Sequence, residues 1–314
     1  MTTPKNQQSY IEELAHLYVD GAFNRRELLK RTARVAGSIV AATAALEALG
    51  LPAKADTSES CGCPEDVTVP EDAEDLEVIH QVEFPGEAGP IFAHQARPVD
   101  SEALPGVLVI HENRGLNEHI RDVTRRAARA GFAALGIDLL SRFGGAPEDP
   151  EEALQLYQQT TAEGRLSDML SAICYLRSLD IVQHDKLAAV GFCAGGGNCW
   201  NLALNTNALS AAVPYYGAPA PPLALLQNLT SPVLAIYAEL DRNLTRSILP
   251  VIDRLEELQK PFGFHVYESV GHAFHNDTGT NYNRIAACDA WSRTVAFFEK
   301  HLKNSRSPQW KESL

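Results

Sequence analysis

The sequence predicts an α/β fold in which a mainly parallel central sheet carries helices on both faces. From about residue 76 onward, short apolar runs alternate with segments of helical spacing. Most of these runs are apolar throughout, as expected of parallel strands that are covered on both faces. A chain of 314 residues, 45% hydrophobic and 21% charged, is also large enough to bury a sizeable core.

The predicted elements follow in order along this part of the chain. The predicted strands are 77–84, 90–98, 106–112, 133–140, 186–192, 210–217, 232–240 and 262–270, the first two forming a hairpin around Pro85-Gly86. The predicted helices are 120–132, one or two helices over 150–179, a helix opened by Gly196-Gly197, and an amphipathic closing helix over 291–302.

Residues 1–55 are predicted to be either a twin-arginine-like export signal or a helical N-terminal extension that is retained. Arg25-Arg26 precede a weakly apolar, Ala-rich stretch, and Ala53-Lys54-Ala55 offers an A-x-A cleavage site. Glu47 inside the apolar stretch and the long segment before the arginines favour the retained extension instead. Export would make the protein periplasmic or secreted. A retained extension would leave it cytoplasmic and is a candidate element of a homodimer.

The remaining boundaries follow from composition. A linker rich in Glu, Asp, Pro, Gly and Ser is predicted over 56–75, a main domain over 76–303 and a tail over 304–314. Cys61 and Cys63 form a C-x-C in the linker, where a disulfide or a metal contact is the alternative to an ordinary polar segment.

Charge and cysteine usage exclude several classes of function. The net charge of −13 argues against nucleic acid as a partner, because phosphate binding needs a basic surface. No segment has the ~20 uncharged apolar residues of a stable membrane span. The six cysteines include no C-x-x-C pair, so a structural metal site is not expected, and neither a metal nor an organic cofactor is required.

The stretch GFCAGGG, residues 191–197, predicts a nucleophile elbow centred on Cys193. It lies between an apolar strand and a helix, and glycines flank the central residue on both sides. Such glycines permit a strained backbone at the nucleophile and close approach of neighbouring chains. The alternative is an inert buried thiol in a glycine-rich turn.

Two later residues complete a possible catalytic set with this thiol. A thiol nucleophile needs a base, and the base needs an orienting partner. Asp241 directly follows one predicted strand and His272 follows the next, which is the chain order of α/β hydrolases. Asp241 could instead be a helix cap. His275 is an alternative base, and His265, inside a strand, is expected to be structural.

These residues resemble the dienelactone hydrolase family, the carboxymethylenebutenolidase-like α/β hydrolases. The resemblance covers roughly residues 76–302 and is carried by four strings in this sequence. They are VIHENRGLN (109–117), GFCAGGG (191–197), AELD (238–241) and GHAFHND (271–277). The resemblance implies the α/β-hydrolase fold, with Cys193 as nucleophile, His272 as general base and Asp241 as its orienting carboxylate.

The resemblance implies further site residues. Glu112 falls on the family's regulatory glutamate, which helps to convert thiol to thiolate when substrate binds; the alternative is a surface acid at a strand end. The backbone N–H groups of Ala194 and Asn113 are expected to form the oxyanion hole.

The substrate-binding residues agree less well with the family pattern. Arg142 matches a family arginine that holds a substrate carboxylate. The family's second such arginine is Asn276 here, so Asn276 is expected to contact the substrate at that position. An amide cannot replace a bidentate guanidinium without loss, which puts the small dienelactone acid in doubt as the substrate. Arg114 is a candidate substitute cation. Tyr216 is a candidate pocket residue. The alternative for Tyr216, and for its neighbour Tyr215, is packing in the core.

The leading functional hypothesis is therefore a hydrolase that cleaves an ester or lactone through an acyl-thioester, with a small-molecule substrate. One alternative is a thiol-dependent hydrolase or acyltransferase acting on another carbonyl compound. A second is a non-catalytic binding module on the same scaffold, against which the intact Cys–Asp–His set argues. A third, redox sensing through Cys193 and Cys199, lacks a C-x-x-C pair.

Overall fold

The computed structural model of the protein describes Thr32 and residues 67–303. The chain divides into two units, Met1–Cys63 and Pro64–Leu314, and the fold presented below is that of the second. The twin-arginine segment, the cysteines at 61 and 63 and the tail over 304–314 lie outside the described residues. The predictions of export, of a retained extension and of a dimer element therefore stay predictions.

A single sheet of eight strands organises the described domain. The strands are β1 (Leu76–Gly86), β2 (Gly89–Pro98), β3 (Leu104–Ile110), β4 (Ala133–Ile137), β5 (Val182–Phe192), β6 (Ala211–Tyr215), β7 (Val233–Ala238) and β8 (Phe262–Tyr267). Their order across the sheet is β1-β2-β4-β3-β5-β6-β7-β8. The β1–β2 and β2–β4 pairs are antiparallel and the remaining pairs are parallel. The predicted mainly parallel sheet is confirmed.

Helices connect the strands and cover both faces of the sheet. They are α1 (Glu118–Arg129), α2 (Pro150–Gln159), α3 (Ala162–Ser178), α4 (Ala194–Asn205), α5 (Arg242–Ser247), α6 (Leu249–Glu257) and α7 (Arg284–Phe298), with 3₁₀ turns at Ser141–Phe143 and Leu223–Asn228. The predicted closing helix begins earlier than expected, because the Asn283 side chain caps α7 by accepting from the N–H of Ala286. A π-helical turn, Glu299–Lys303, follows it.

Alternating side chains of the central strand show why both faces must be covered. In β3, Leu108 packs into the core shared with α3 and α4, whereas Val107 and Val109 pack into the core shared with α1 and α7. All three are fully buried. Burying each such side chain contributes about 1.5–3 kcal/mol, so neither face is stable when exposed to water. The sheet is therefore held rigidly, and the loops at its carboxyl edge are positioned by it.

The first two strands form the predicted hairpin at one edge of the sheet. Pairing shifts register between Ile79 and Val82, where three steps along β1 oppose two steps along β2. One extra residue in β1 therefore forms a β-bulge, which bends the strand and increases its twist.

The end of the predicted linker is packed against the domain. Val69 is buried, its N–H donates to Asp122 Oδ1 at 2.6 Å, and its carbonyl accepts from Arg125 Nε at 2.6 Å. Both partners lie on α1. Ala73 is buried beside Val69, and Asp75 accepts from Arg129 Nε and Nη2, each at 2.9 Å. The polar composition of this segment did not reveal these contacts, because they depend on residues of α1 more than 50 positions away. Within the described part of the chain, no helix combines the length and apolarity needed to cross a membrane.

Candidate active site

The predicted catalytic residues meet at the carboxyl edge of the sheet. Glu112 follows β3, Cys193 follows β5, Asp241 follows β7 and His272 follows β8. Because these strands are parallel, the loops after them share one edge. The chain leaves β3 first toward β4 and later returns to β5 on its other side, and such a switch point opens a crevice between the loops.

The turn at Cys193 has the backbone of a nucleophile elbow. Cys193 adopts φ 55° and ψ −118°, a region that non-glycine residues rarely occupy. A side chain at Gly195 would place its Cβ 2.3 Å from the carbonyl oxygen of His111, and one at Gly196 would lie 2.4 Å from that of Tyr215. Only glycine permits these approaches, so the glycines of GFCAGGG allow the tight turn that carries Cys193.

The side chain of His272 lies between Cys193 and Asp241. His272 Nδ1 is 2.5 Å from Asp241 Oδ2, and Nε2 is 3.0 Å from Cys193 Sγ. An ionised carboxylate can only accept, so Nδ1 carries the proton and donates a hydrogen bond to Asp241. The Nε2 lone pair is then free to accept the thiol proton. The three residues predicted from chain order are thus within hydrogen-bonding distance.

The environment of Cys193 favours the neutral thiol. Burial raises the pKa of Cys193 to about 12, and the carboxylate of Glu112 adds to this rise. The backbone N–H of Ala194 lowers the pKa, and Asp241 raises it slightly further. A thiol of this kind needs its proton removed by a base at the moment of attack.

Glu112 is a buried carboxylate and not a surface acid. Its Oε2 accepts a hydrogen bond of 2.8 Å from Asn276 Nδ2. Its Oε1 is buried and accepts no hydrogen bond from the described residues. The fully buried His111 supports the backbone here: its Nε2 accepts from the N–H of Leu139 at 3.0 Å, so its Nδ1 donates to the Glu112 carbonyl at 2.5 Å.

The loop that carries His272 is attached to α1 by an ionic network. Asp277 Oδ1 lies 2.7 Å from His119 Nδ1, and its Oδ2 accepts from Arg126 Nη2. Arg126 also pairs with Asp122 one turn earlier in α1. Burial raises the pKa of Asp277, but the hydrogen bonds and charges of its two basic partners outweigh burial and hold it well below its usual range. The loop is therefore tied to a rigid helix.

The two backbone groups expected in the oxyanion hole stand at the sheet edge. Ala194 is the first residue of α4, so its N–H has no carbonyl partner within the helix. Asn113 immediately follows Glu112 in the loop after β3.

Both predicted substrate-binding arginines are already in ion pairs. Arg142, in the 3₁₀ turn after β4, donates from Nη2 to Asp168 Oδ2 at 2.5 Å. Arg114 donates from Nη1 to Glu151 Oε1 at 2.7 Å. Asn276, predicted as a third substrate-binding residue, is buried against Glu112. The structure therefore gives each of these side chains a partner within the protein, a pairing that local sequence did not indicate.

The aromatic and histidine alternatives are also placed. Tyr216 is fully buried with φ 36°, and its ring centroid lies 5.0 Å from that of His272, so it packs behind the imidazole. His275 is fully buried, and neither ring nitrogen has a hydrogen-bond partner among the described residues. Burial holds the pKa of His275 well below its ordinary value. Its ring packs 4.9 Å from Phe192, which makes it a core residue.

A polar group beside the elbow was not found from sequence. Asn198, on α4, donates to the Tyr157 hydroxyl at 3.0 Å and accepts from Arg165 Nε at 3.1 Å. The Arg165 guanidinium lies 4.9 Å from the centroid of the Tyr157 ring. The three residues come from three helices, so no local motif joins them. A weak signal was present in Asn198, a polar residue in an otherwise small and apolar helix start.

Over residues 67–303, no group of three or more His, Cys, Asp or Glu side chains is arranged to hold a metal ion. The site chemistry described above is that of a thiol, an imidazole and carboxylates.

Known proteins resemble this chain in sequence and in fold. Residues 91–302 match the sequence model of the dienelactone hydrolase family. A Bradyrhizobium protein, named as a probable 2-oxo-3-(5-oxofuran-2-ylidene)propanoate lactonase, is 32% identical over 68% of this chain and 91% of its own. A Methylorubrum extorquens protein provisionally named carboxymethylenebutenolidase is 31% identical, over 74% and 84%. A crystal structure from Klebsiella pneumoniae, provisionally titled a dienelactone hydrolase, superposes with a TM-score of 0.65 at 27% identity, over 72% and 99%.

Proposed function

The chain belongs to the dienelactone hydrolase family, and from this premise we propose that it cleaves an ester or lactone with Cys193 as nucleophile, His272 as base and Asp241 as the orienting carboxylate. The chain shares the α/β-hydrolase fold with its relatives, and like them it belongs to a family of carboxylic-ester hydrolases. The observation that carries the proposal is the position of His272 Nε2, 3.0 Å from the Cys193 sulfur on a strained elbow.

The first half of the proposed reaction forms an acyl-thioester. The Cys193 proton passes to His272 Nε2 as the sulfur attacks the carbonyl carbon, and the carbonyl electron pair moves to oxygen. Collapse of this tetrahedral species breaks the carbon–oxygen bond of the ester. The departing oxygen takes the proton from His272, and an acyl-thioester on Cys193 remains. In a lactone, the departing oxygen stays on the acyl chain.

The second half releases the acid. His272 removes a proton from water, and the resulting hydroxide attacks the thioester carbonyl. The carbon–sulfur bond breaks, and the sulfur takes the proton back from His272 as Cys193 returns to the thiol. Asp241 keeps Nδ1 protonated throughout and stabilises the imidazolium that forms in each half.

We propose the N–H groups of Ala194 and Asn113 as donors to the tetrahedral oxyanion. Two such donors act without reorganisation at the moment of reaction, and losing one typically costs about 2.7–4 kcal/mol of transition-state stabilisation. Glu112 is proposed to keep Cys193 protonated between turnovers, because its charge disfavours a neighbouring thiolate. Tyr216 is proposed to support the imidazole and not to contact substrate, since it is fully buried.

The test compares wild type with Cys193→Ala on 4-nitrophenyl acetate, a neutral enol-lactone and a carboxylate-bearing dienelactone. Cys174→Ala is the matched control, because it removes an exposed thiol away from the elbow. We expect wild type and Cys174→Ala to be active, Cys193→Ala to be inactive and folded, and mass spectrometry of quenched wild type to show an acyl adduct on Cys193. Retained activity in Cys193→Ala would remove the nucleophile assignment. Preferential transfer of the acyl group to added alcohols or amines would favour an acyltransferase, and substrate binding without turnover would favour a binding module.

A further inference from the structure

We infer that this site selects uncharged acyl groups over acyl groups that carry a carboxylate, because Asn276 holds the Glu112 carboxylate beside Cys193 without neutralising it. The inference rests on the proposed function, since it concerns the acyl group that Cys193 accepts. It is carried by the hydrogen bonds of Asn276, by the pairing of the arginines at this edge of the sheet and by the burial of Glu112.

The side-chain amide of Asn276 is oriented by its own loop. Its Oδ1 accepts from the backbone N–H of Thr278 at 3.0 Å and from the Thr278 hydroxyl at 2.7 Å. Because both donors engage the oxygen, the NH₂ group is the end directed at Glu112, which it reaches at 2.8 Å. An amide supplies a dipole and no charge, so Asn276 cannot neutralise the Glu112 carboxylate as a guanidinium would.

The Glu112 carboxylate is therefore held near Cys193 with little compensation from its hydrogen bonds. Glu112 is 8% exposed, and its Oε1 accepts no hydrogen bond from the described residues. After burial, the Glu112 carboxylate is the largest cause of the raised pKa of Cys193, so it opposes formation of a second negative charge there. A carboxylate on a bound acyl group would meet the same repulsion, since charges interact more strongly where water is partly excluded.

The arginines that could offset this repulsion are engaged elsewhere. Arg142 is paired with Asp168, which is itself buried, so releasing the guanidinium would leave an unpaired carboxylate in the protein. Arg114 is paired with Glu151 on α2. Each pair is close to electrically neutral and attracts a substrate carboxylate only weakly.

Arg165 is the cation that could contradict this inference. Its partners are neutral: Nη1 donates to the Thr160 hydroxyl at 2.6 Å and to the Thr160 carbonyl at 3.2 Å, and Nε donates to Asn198. These hydrogen bonds connect the turn between α2 and α3 to α4, and the guanidinium lies over the ring of Tyr157. Two of its three nitrogens are therefore committed to holding the scaffold. Its charge makes it the alternative carboxylate anchor that the experiment must separate.

The experiment uses two esters that differ only in charge, mono-4-nitrophenyl adipate and its terminal amide. The chain between the carbonyl groups disfavours attack by the free carboxylate on its own ester. We expect wild type to have a kcat/KM about 10- to 100-fold higher for the amide, the range for one like charge at several ångströms in a partly desolvated site. The ratio of the two kcat/KM values should fall in 0.5 M NaCl, because salt screens the repulsion between the two carboxylates.

Two variants should change this ratio, and one should not. Asn276→Arg introduces a cation against Glu112 and should bring the ratio down at least fivefold. Glu112→Gln removes the charge and should do the same; it tests the inference independently if the arginine variant does not fold. The ratio cancels any change that affects both esters equally. Arg165→Met should leave it within about twofold.

Three results would overturn the inference. Equal kcat/KM values for the two esters in wild type, with both reactions lost in Cys193→Ala, would refute the charge selection while leaving the proposed function intact. A preference for the acid that disappears in Arg165→Met would instead identify Arg165 as a carboxylate anchor. If neither ester is turned over, or if both are turned over equally well by Cys193→Ala, the proposed function fails together with the inference.

Discussion

Replacing Glu112 with glutamine should make the Cys193 thiol markedly more reactive. The substitution keeps an oxygen that can accept from Asn276 Nδ2, so the loop geometry is preserved while one negative charge is removed. With a pKa of about 12, roughly one Cys193 in 10⁴ is a thiolate at pH 8. A neighbouring charge commonly moves a pKa by about 1–3 units, so the thiolate fraction should rise about 10- to 1,000-fold.

The expected change in rate is smaller than the change in thiolate fraction. A thiolate of lower pKa is also a weaker nucleophile, with a Brønsted coefficient of about 0.4–0.5 for attack on disulfides. About half of the logarithmic gain is therefore lost, which leaves a rate increase of about 3- to 30-fold. One unit of pKa corresponds to about 1.4 kcal/mol. Even the smallest expected rate increase, about threefold, is large enough to measure.

The assay is the rate of reaction with 4,4′-dithiodipyridine between pH 6 and pH 9. The same measurement on Cys193→Ala supplies the contribution of the other thiols, which is subtracted. Glu148→Gln is the matched control, because it removes an exposed acid of the same charge. A Cys193 rate in Glu112→Gln that stays within twofold of wild type across this range would refute the view that the Glu112 charge suppresses the thiolate.

Three further outcomes are expected. Asp241→Asn should lower kcat by about 10²- to 10⁴-fold with an unchanged circular dichroism spectrum, because an amide can stabilise the wrong imidazole tautomer; unchanged turnover would remove its orienting role. Gly196→Ala should lower the free energy of unfolding by about 1–3 kcal/mol, since its Cβ would lie 2.4 Å from the Tyr215 carbonyl oxygen. Gly263→Ala, whose Cβ meets its neighbour at 3.4 Å, is the control in the same thermal melts, and equal stability of the two variants would contradict the packing. Asp277→Asn should lower the melting temperature more at pH 7 than at pH 3. The pKa of Asp277 is lower in the folded than in the unfolded protein, so its charge stabilises the fold at pH 7, and this contribution is lost progressively as the pH falls below about 4. An equal decrease in melting temperature at both pH values would show that the charge of Asp277 does not contribute.

The sheet and the thiol–imidazole–carboxylate arrangement were predictable from sequence for a common physical reason. Strands buried on both faces must be apolar throughout, so β3 and β5 are visible as continuous runs. The residues that follow such strands share one edge, which is why chain order alone could bring Cys193, Asp241 and His272 together. The glycines around Cys193 also have a local cause, a backbone that no larger residue permits at those positions.

What the sequence did not predict depends on contacts between distant segments. Arg142 and Asp168 are 26 residues apart, and nothing local indicates that they form an ion pair that engages the predicted carboxylate anchor. The contact of Asn276 with Glu112 spans 164 residues. α5 and α6 were also missed, because the polar start of this segment and Pro250 weaken its helical pattern.

The hairpin at the edge of the sheet has a consequence for how copies of this protein behave at high concentration. Among the described strands, β1 pairs on one side only, and an open strand edge can recruit a strand from another molecule. The bulge between Ile79 and Val82, together with exposed Glu77 and Glu83 and with Pro85, makes this edge bent, charged and short of donors. These features discourage edge-to-edge aggregation. They all lie within β1, whereas Cys193, Asp241 and His272 follow other strands, so the two sets of residues can vary independently.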